Sequence, residues 1–291
     1  KKKNHKVNKI ILPNLMCEEM ITVSKKHDLD ILYYTIDNKL HFDINEVSEI
    51  SNSGNSIIVF VNYFGFKVNQ EKIEKLKNKN NYLIEDNAHV LRDLRLDYQS
   101  NFADYAFSSL RKLLPMLSGA EVYSKDNDLD LIQSSRFPSI GELKYSMRSL
   151  KKKRSGASRL GHSFDNEYLD LAYIDYLSKY ILDKYNFSYE EIIQQRRKNF
   201  KSWERYLASS SLATMCSIDQ NQSICPYVYP CYAEDDNEYH KWLNWGKSNN
   251  ITIIPWPKYH QDTLKYVPDN FLKRILLFPV NHQFDLSNII G

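Results

Sequence analysis

Glycine is scarce in this chain, at eight residues in 291, and cysteine is scarcer still at four. Four cysteines (Cys17, Cys216, Cys225, Cys231) are too few to staple a domain of this length, so a disulfide scaffold is excluded and reduced thiols are expected. The step from Cys225 to Cys231 is not a zinc-site spacing, and no matching His or Cys pair accompanies it. Long apolar runs are missing too. The longest clean one, Ile57-Ile58-Val59-Phe60-Val61, is strand-sized, far short of the ~18 residues of a membrane helix. Charge of one sign is also lacking: 39 basic residues face 36 acidic ones, leaving +3, which excludes a wholly basic nucleic-acid-binding surface. Lys1-Lys2-Lys3-Asn4-His5 is not followed by a signal-peptide core, so the expectation is a cytoplasmic protein.

What is present is material for a core: 42% hydrophobic residues with 26% charged ones, the balance of a folded globular chain. The first half alternates short β-rich runs with helix-like stretches. Lys9 to Leu12, Ile31 to Tyr34, Ile57 to Val61, Tyr82 to Ile84, Ala103 to Ser108 and Ala120 to Ser124 read as strands. Glu18 to Lys26 and Gln70 to Lys79 read as helices between them, the second with Ile73 and Leu76 inward. Such alternation means βαβ units and a mostly parallel sheet, and the continuous apolar runs suit strands covered on both faces. From about Ser163 the pattern becomes helical: Leu169, Tyr173, Tyr176, Tyr180 and Lys184 lie along one side of a long helix, and a second runs from Tyr189 to Leu207. After Ser209-Ser210-Ser211 come shorter strands (Tyr227 to Tyr232, Thr252 to Pro255, Ile275 to Phe278) and one helix, Asn237 to Ser248. The expected organisation is therefore a large α/β domain over 1–208 and a small C-terminal α+β domain over 209–291.

Ligands of an open parallel sheet bind beyond the carboxyl ends of its strands. Three segments place polar groups there. Glu85-Asp86-Asn87-Ala88-His89 comes after one strand; its carboxylate can hold a cationic heterocyclic nitrogen, with His89 in reach of the same ligand, or Asp86 can simply cap the next helix. Ser108-Ser109-Leu110-Arg111-Lys112 comes after the next strand. Lys112 stands among Leu110, Leu113, Leu114 and Met116, surroundings that favour the neutral, nucleophilic amine, and the serines can donate to a phosphate. Lys125-Asp126-Asn127-Asp128 comes after the last, where Asp126 and Asp128 suit a metal-held nucleotide sugar or an ordinary solvated turn. The basic run Lys151-Lys152-Lys153-Arg154 reads either as a diphosphate contact or as solvated charge.

The order strand–Asp–x–x–His, strand–Ser–x–x–Lys and a Gly-initiated strand (Gly119-Ala120-Glu121-Val122) is what a pyridoxal phosphate enzyme requires: a lysine for the aldehyde and a carboxylate for the ring nitrogen. Tyr82 to His89 and Asp104 to Lys112 resemble the two motifs of the DegT/DnrJ/StrS-type sugar aminotransferases. The likeness continues through Pro13 and Cys17, Tyr33 to Asp37, Val61 to Gly65, Arg196 to Phe200, Trp256 and Leu277 to His282. This resemblance implies fold type I, the aspartate aminotransferase architecture: a mostly parallel central sheet flanked by helices with a small C-terminal α+β domain. It implies pyridoxal 5′-phosphate as cofactor, with Asp86 on the ring nitrogen, His89 near the 3-hydroxyl, Ser109 and Ser108 at the phosphate and Lys112 as the catalytic lysine. It places Tyr63, Arg111 and His282 toward substrate. It further implies a cytoplasmic homodimer without nucleic-acid or membrane partners. Its reaction would be transfer of an amino group, from glutamate, to a nucleotide-linked keto-sugar for surface polysaccharide, as in lipopolysaccharide O-antigen. In the family, a Gly-Ser/Thr turn ahead of the first of these strands holds the phosphate. Nothing before Lys9 supplies it, so the chain is expected to be part of a longer product. The family's ring-stacking aromatic is replaced near Met16-Cys17, and its cross-dimer Asn-Tyr-Arg segment has no counterpart between Gly141 and Asp165. Two other readings stand beside this one: a binding protein that keeps the fold without turnover, and a metal-dependent glycosyltransferase built on Asp126 and Asp128.

Overall fold

A computed structural model describes residues 7–52, 54–78, 80–91, 100, 102–126, 135–138, 140, 174–184, 188–218, 224–256, 259, 264, 271–283 and 285–286. The apolar runs of the first half form β1 (Lys9–Pro13), β2 (Asp30–Tyr34), β3 (Ser56–Val61), β4 (Asn81–Asn87), β5 (Tyr105–Ser109) and β6 (Ala120–Ser124). They hydrogen-bond in the order β2-β1-β3-β4-β5-β6; every neighbouring pair is parallel except β5 with β6. The mostly parallel sheet expected from the sequence is present. Its middle strands are buried on both faces, which is why Ile10 to Leu12 and Ile58 to Val61 read as unbroken apolar runs instead of alternating ones.

Helices α1 (Glu18–Lys26), α2 (Ile44–Ser51) and α3 (Gln70–Glu74) fill the crossovers. Asp43 caps α2 by accepting from the Asn45 N–H at 2.9 Å, and Val47 is its fully buried contact with the sheet. α3 is half the length expected. Asn81 ends it, donating from Nδ2 to the Leu76 carbonyl at 2.6 Å and accepting from the Asn78 N–H at 3.1 Å, which turns the chain straight into β4. Ile73 and Leu76 still pack inward, as the spacing required.

Two-residue strands β7 (Ser135–Arg136) and β8 (Ile174–Asp175) pair in parallel. The long helix expected before Lys184 starts only at Tyr176, as α4 (Tyr176–Lys184); 169–173 lie outside the described residues. Its start is set by Asp175, fully buried, which accepts from the Ser118 hydroxyl at 2.5 Å and the Ser178 N–H at 2.9 Å. The tyrosine stripe faces outward: Tyr176 and Tyr180 are exposed, and Ser178 is the buried residue.

Helix α5 (Tyr189–Tyr206) bridges two apolar clusters. Tyr189 and Ile192 join the core of the six-stranded sheet, whereas Phe200, Trp203 and Leu207 join a second core with Tyr229, Trp242 and Phe278. The second core underlies a four-stranded sheet, β9 (Ala213–Thr214), β10 (Val228–Tyr232), β11 (Ile254–Pro255) and β12 (Ile275–Pro279), in the order β11-β12-β10-β9, with α6 (Asp236–Ser248) packed on it through Trp242. Every one of its strand pairings is antiparallel.

Candidate active site

The site forms where β1, β3, β4 and β5 end. Val61, Asp86 and Phe107 are register partners across β3, β4 and β5, so their side chains leave the same face at the carboxyl edge. Glu85 and Asn87 alternate to the other face, where the Asn62 amide donates to both, at 2.9 and 2.6 Å, and accepts from the Val68 N–H at 2.8 Å. This buried network fixes the ends of β3 and β4 and so aims Asp86.

Asp86 is buried, and one carboxylate oxygen accepts the Ala88 N–H at 2.8 Å. That bond closes a turn at Ala88-His89; no helix directly follows Asp86 among the described residues, so it does not act there as a helix cap. After β5, a single 3-10 turn, Leu110–Lys112, carries the lysine. Burial drives the Lys112 amine below its usual range, opposed first by the Asp86 carboxylate and reinforced by the Arg111 charge. Burial likewise raises the Asp86 carboxyl, opposed by Lys112. The two groups thus feel each other's charge while forming no ion pair with each other. Burial, which penalises both charges, wins at both ends.

Cys17, the residue ahead of α1, lies in the same field. Burial pushes its thiol up to about 12, with Asp86 raising and Lys112 lowering it.

His89 is held by its faces. Its ring stacks on Tyr227 at 4.6 Å and 9°, and on Phe64 at 5.6 Å and 12°, with Trp256 edge-on at 5.8 Å. Nδ1 accepts the Phe64 N–H at 3.4 Å, which leaves the proton of the neutral ring on Nε2. Burial and, secondarily, the Lys112 charge hold His89 well below its usual pKa, so the neutral ring is the working form. Tyr227 is itself fixed: its N–H donates to the Phe64 carbonyl at 2.7 Å, and its carbonyl accepts from the buried Arg196 guanidinium at 3.1 Å. Phe64 (φ 55°) and Gly65 (φ 94°) form the tight turn that brings these segments together.

The remaining candidates divide. Arg111 is half-buried beside Lys112. The Ser108 hydroxyl donates to Glu121 on β6 at 3.3 Å, while Ser109, at the end of β5, has no side-chain capping bond. Tyr63 is buried, its hydroxyl donating to the Leu15 carbonyl at 2.6 Å, so it acts as a wall between β1 and Trp256. His282 comes after β12, next to Asn281, whose carbonyl accepts from Asn199 of α5. Asp126 stands in the turn after β6; Asp128 and the run 151–154 lie outside the described residues. Phe64 and Tyr227 as partners of His89 are not legible in the sequence, because ring stacking between distant segments leaves no local pattern.

Comparison with solved structures places this arrangement. The GDP-4-keto-6-deoxymannose-3-dehydratase ColD, as a point mutant with bound GDP-perosamine, superimposes with a TM-score of 0.66 at 19% identity, over 100% of this chain and 80% of that one. The E coli dehydratase of the same name, with bound hydrated PLP, gives 0.65 at 19%, over 100% and 79%. The sugar aminotransferase CalS13 from Micromonospora echinospora gives 0.64 at 15%, over 99% and 80%. The chain has their fold. It is the fold type I architecture expected from the motifs, with Asp86 and Lys112 at adjacent strand ends. Neither a scan against family models nor a search of curated proteins finds a match to the sequence.

Proposed function

We propose that the protein is a pyridoxal phosphate-dependent aminotransferase acting on a nucleotide-linked keto-sugar, with glutamate as amino donor. One observation carries this reading: the buried Asp86 carboxyl at the end of β4 and the half-buried Lys112 in the turn after the neighbouring β5 lie close enough to feel each other's charge, yet form no ion pair with each other. Two charges left apart in a desolvated site are costly unless a third group completes them. A ring with a protonatable nitrogen at one end and an aldehyde at the other fits that donor set. Such a cofactor supplies an electron sink for a carbanion at a substrate carbon. Ser109 is the remaining hydroxyl for its phosphate, since Ser108 is engaged by Glu121.

The chain's own residues then divide the work. Burial keeps the Lys112 amine available as a nucleophile and as a base that takes a proton from a substrate carbon and returns one. Asp86 holds a positive charge opposite it, and a cation there restores the carboxylate that burial disfavours. Neutral His89 offers an Nε2–H donor from a ring that cannot rotate out of its stack. The aromatic wall of Phe64, Tyr227 and Trp256 excludes water from this side.

Incubating the protein with pyridoxal phosphate, glutamate and a nucleotide-linked keto-sugar should yield the amino-sugar and 2-oxoglutarate in equal amounts. Lys112→Ala should lower the rate by roughly 10³-fold or more, the scale of a lost general base. Formation of a deoxygenated sugar without amine transfer would make the protein a dehydratase, the activity named for ColD. Cofactor binding with no change of the sugar or the glutamate would leave a binding protein with this fold.

A further inference from the structure

A second concavity opens next to the candidate active site. It is a cavity of about 430 Å³ between the ends of β2 and β3 and the segment after β9. Buried Tyr63 and half-buried Phe42 and Phe66 line it together with the exposed Lys39, Lys67 and Lys72. No carboxylate is among the described residues that line it. His41, which also lines it, is balanced by Asp37 at 3.6 Å, but Lys67 and Lys72 form no ion pair among the described residues. Lys39 is held in place: its ammonium donates to the Thr214 carbonyl at 3.0 Å. Its backbone sits in a turn closed on Asp37, whose Oδ1 accepts the Lys39 and His41 N–H groups at 2.8 Å each. The adjacent Leu40 adopts φ 62° with its side chain buried, so the loop is fixed at a backbone cost. Three like charges around one hollow repel each other unless an anion enters.

We propose that this cavity is an anion site for a phosphorylated small molecule with a flat apolar body. The phosphate would be held by Lys67, Lys72 and Lys39, and the body would lie against Phe42 and Phe66. The site is separate from the one built on Asp86 and Lys112, neither of which lines it. Tyr63 is the shared wall: it borders the cavity, and its phenol feels Asp86 and Cys17 from the other side.

The test is isothermal titration of pyrophosphate into the protein at low salt, with and without one equivalent of pyridoxal phosphate fixed to the protein by borohydride reduction. One equivalent should bind in both cases, with affinities within about twofold of each other and weakening steeply as salt is added. Lys67→Ala/Lys72→Ala, at exposed positions that leave folding intact, should bind about tenfold more weakly or worse, the sum expected for two exposed charge contacts to a multivalent anion. The same double variant should keep the thermal midpoint of the parent protein. Absence of binding to the parent protein, loss of binding in the protein that carries the fixed cofactor, or undiminished binding by the double variant would each overturn the proposal.

Discussion

Replacing Gly65 by alanine would place a methyl group where the chain has no room for one. The added Cβ would lie 2.2 Å from the Cys225 carbonyl oxygen and 3.2 Å from its carbon, both backbone atoms. Relief requires the Tyr63–Gly65 turn and the 225–227 segment to part by about 1 Å, and overpacking of that kind costs roughly 1–3 kcal/mol. The φ of 94° adds strain for any residue with a side chain, about 1–2 kcal/mol. Alanine also stiffens the unfolded chain, which returns about 0.4–1 kcal/mol. The net loss is therefore about 1–5 kcal/mol, a large share of the roughly 5–15 kcal/mol typical of a domain. Gly54 is the control: its φ is 127°, yet nothing lies within 4 Å of a built Cβ, so only the strain applies there. Urea unfolding of both variants, compared at equal slope, should show Gly65→Ala clearly less stable than Gly54→Ala. The parting also strains the 2.7 Å bond from Tyr227 to Phe64 and the stack on His89, so cofactor affinity should fall with stability. If Gly65→Ala proves no worse than Gly54→Ala, the two segments do not meet as described.

Other outcomes rest on the same geometry. The His89 pKa is depressed on folding, so protonation favours the unfolded chain: its contribution to stability is intact above the ordinary value of 6.5 and is lost as pH falls below it. His89→Gln should flatten that acid-side decline in urea midpoints measured between about pH 7.5 and 5.5. Arg196 is buried and, among the described residues, has no carboxylate partner; it donates to the Pro226 and Tyr227 carbonyls at 3.1 Å each. Arg196→Ala should cost about 2–4 kcal/mol in a urea titration, because two buried acceptors and a cavity are left behind. Arg196→Met, which fills the space and removes the desolvated charge, should cost less than half of that. In the cofactor-free protein the Lys112 amine should titrate below the ordinary lysine value of 10.5, read from the NMR shift of the reductively methylated side chain. Asp86→Asn should lower it further, since that carboxylate is the largest of the charges that raise it.

Much of this is legible in the sequence because the elements are local. The runs that form β1, β3 and β6 are buried or paired as their patterns require, and Asp86 and Lys112 fall at neighbouring strand ends because parallel βαβ order dictates it. Helix α2 escapes notice because it is only eight residues long, although Asp43 caps it and Ile44, Val47 and Ile50 keep a helical spacing toward the core. The shortened α3 depends on the Asn81 side chain, a residue beyond its own end. Tyr176 and Tyr180 keep a helical period but point to solvent, because Ser118 and Ser178 turn the Asp175 end of α4 inward. The clamp on His89 joins residues 64, 89, 227 and 256, and no pattern within one segment encodes a contact of that span.

The most direct test is to add pyridoxal phosphate, reduce with borohydride and locate the modified lysine by peptide mass. We expect visible absorbance that bleaches on reduction and a single labelled residue, Lys112, with labelling much weakened in Asp86→Asn. Label on any other lysine, or on none, would contradict the pairing of that amine with that acid.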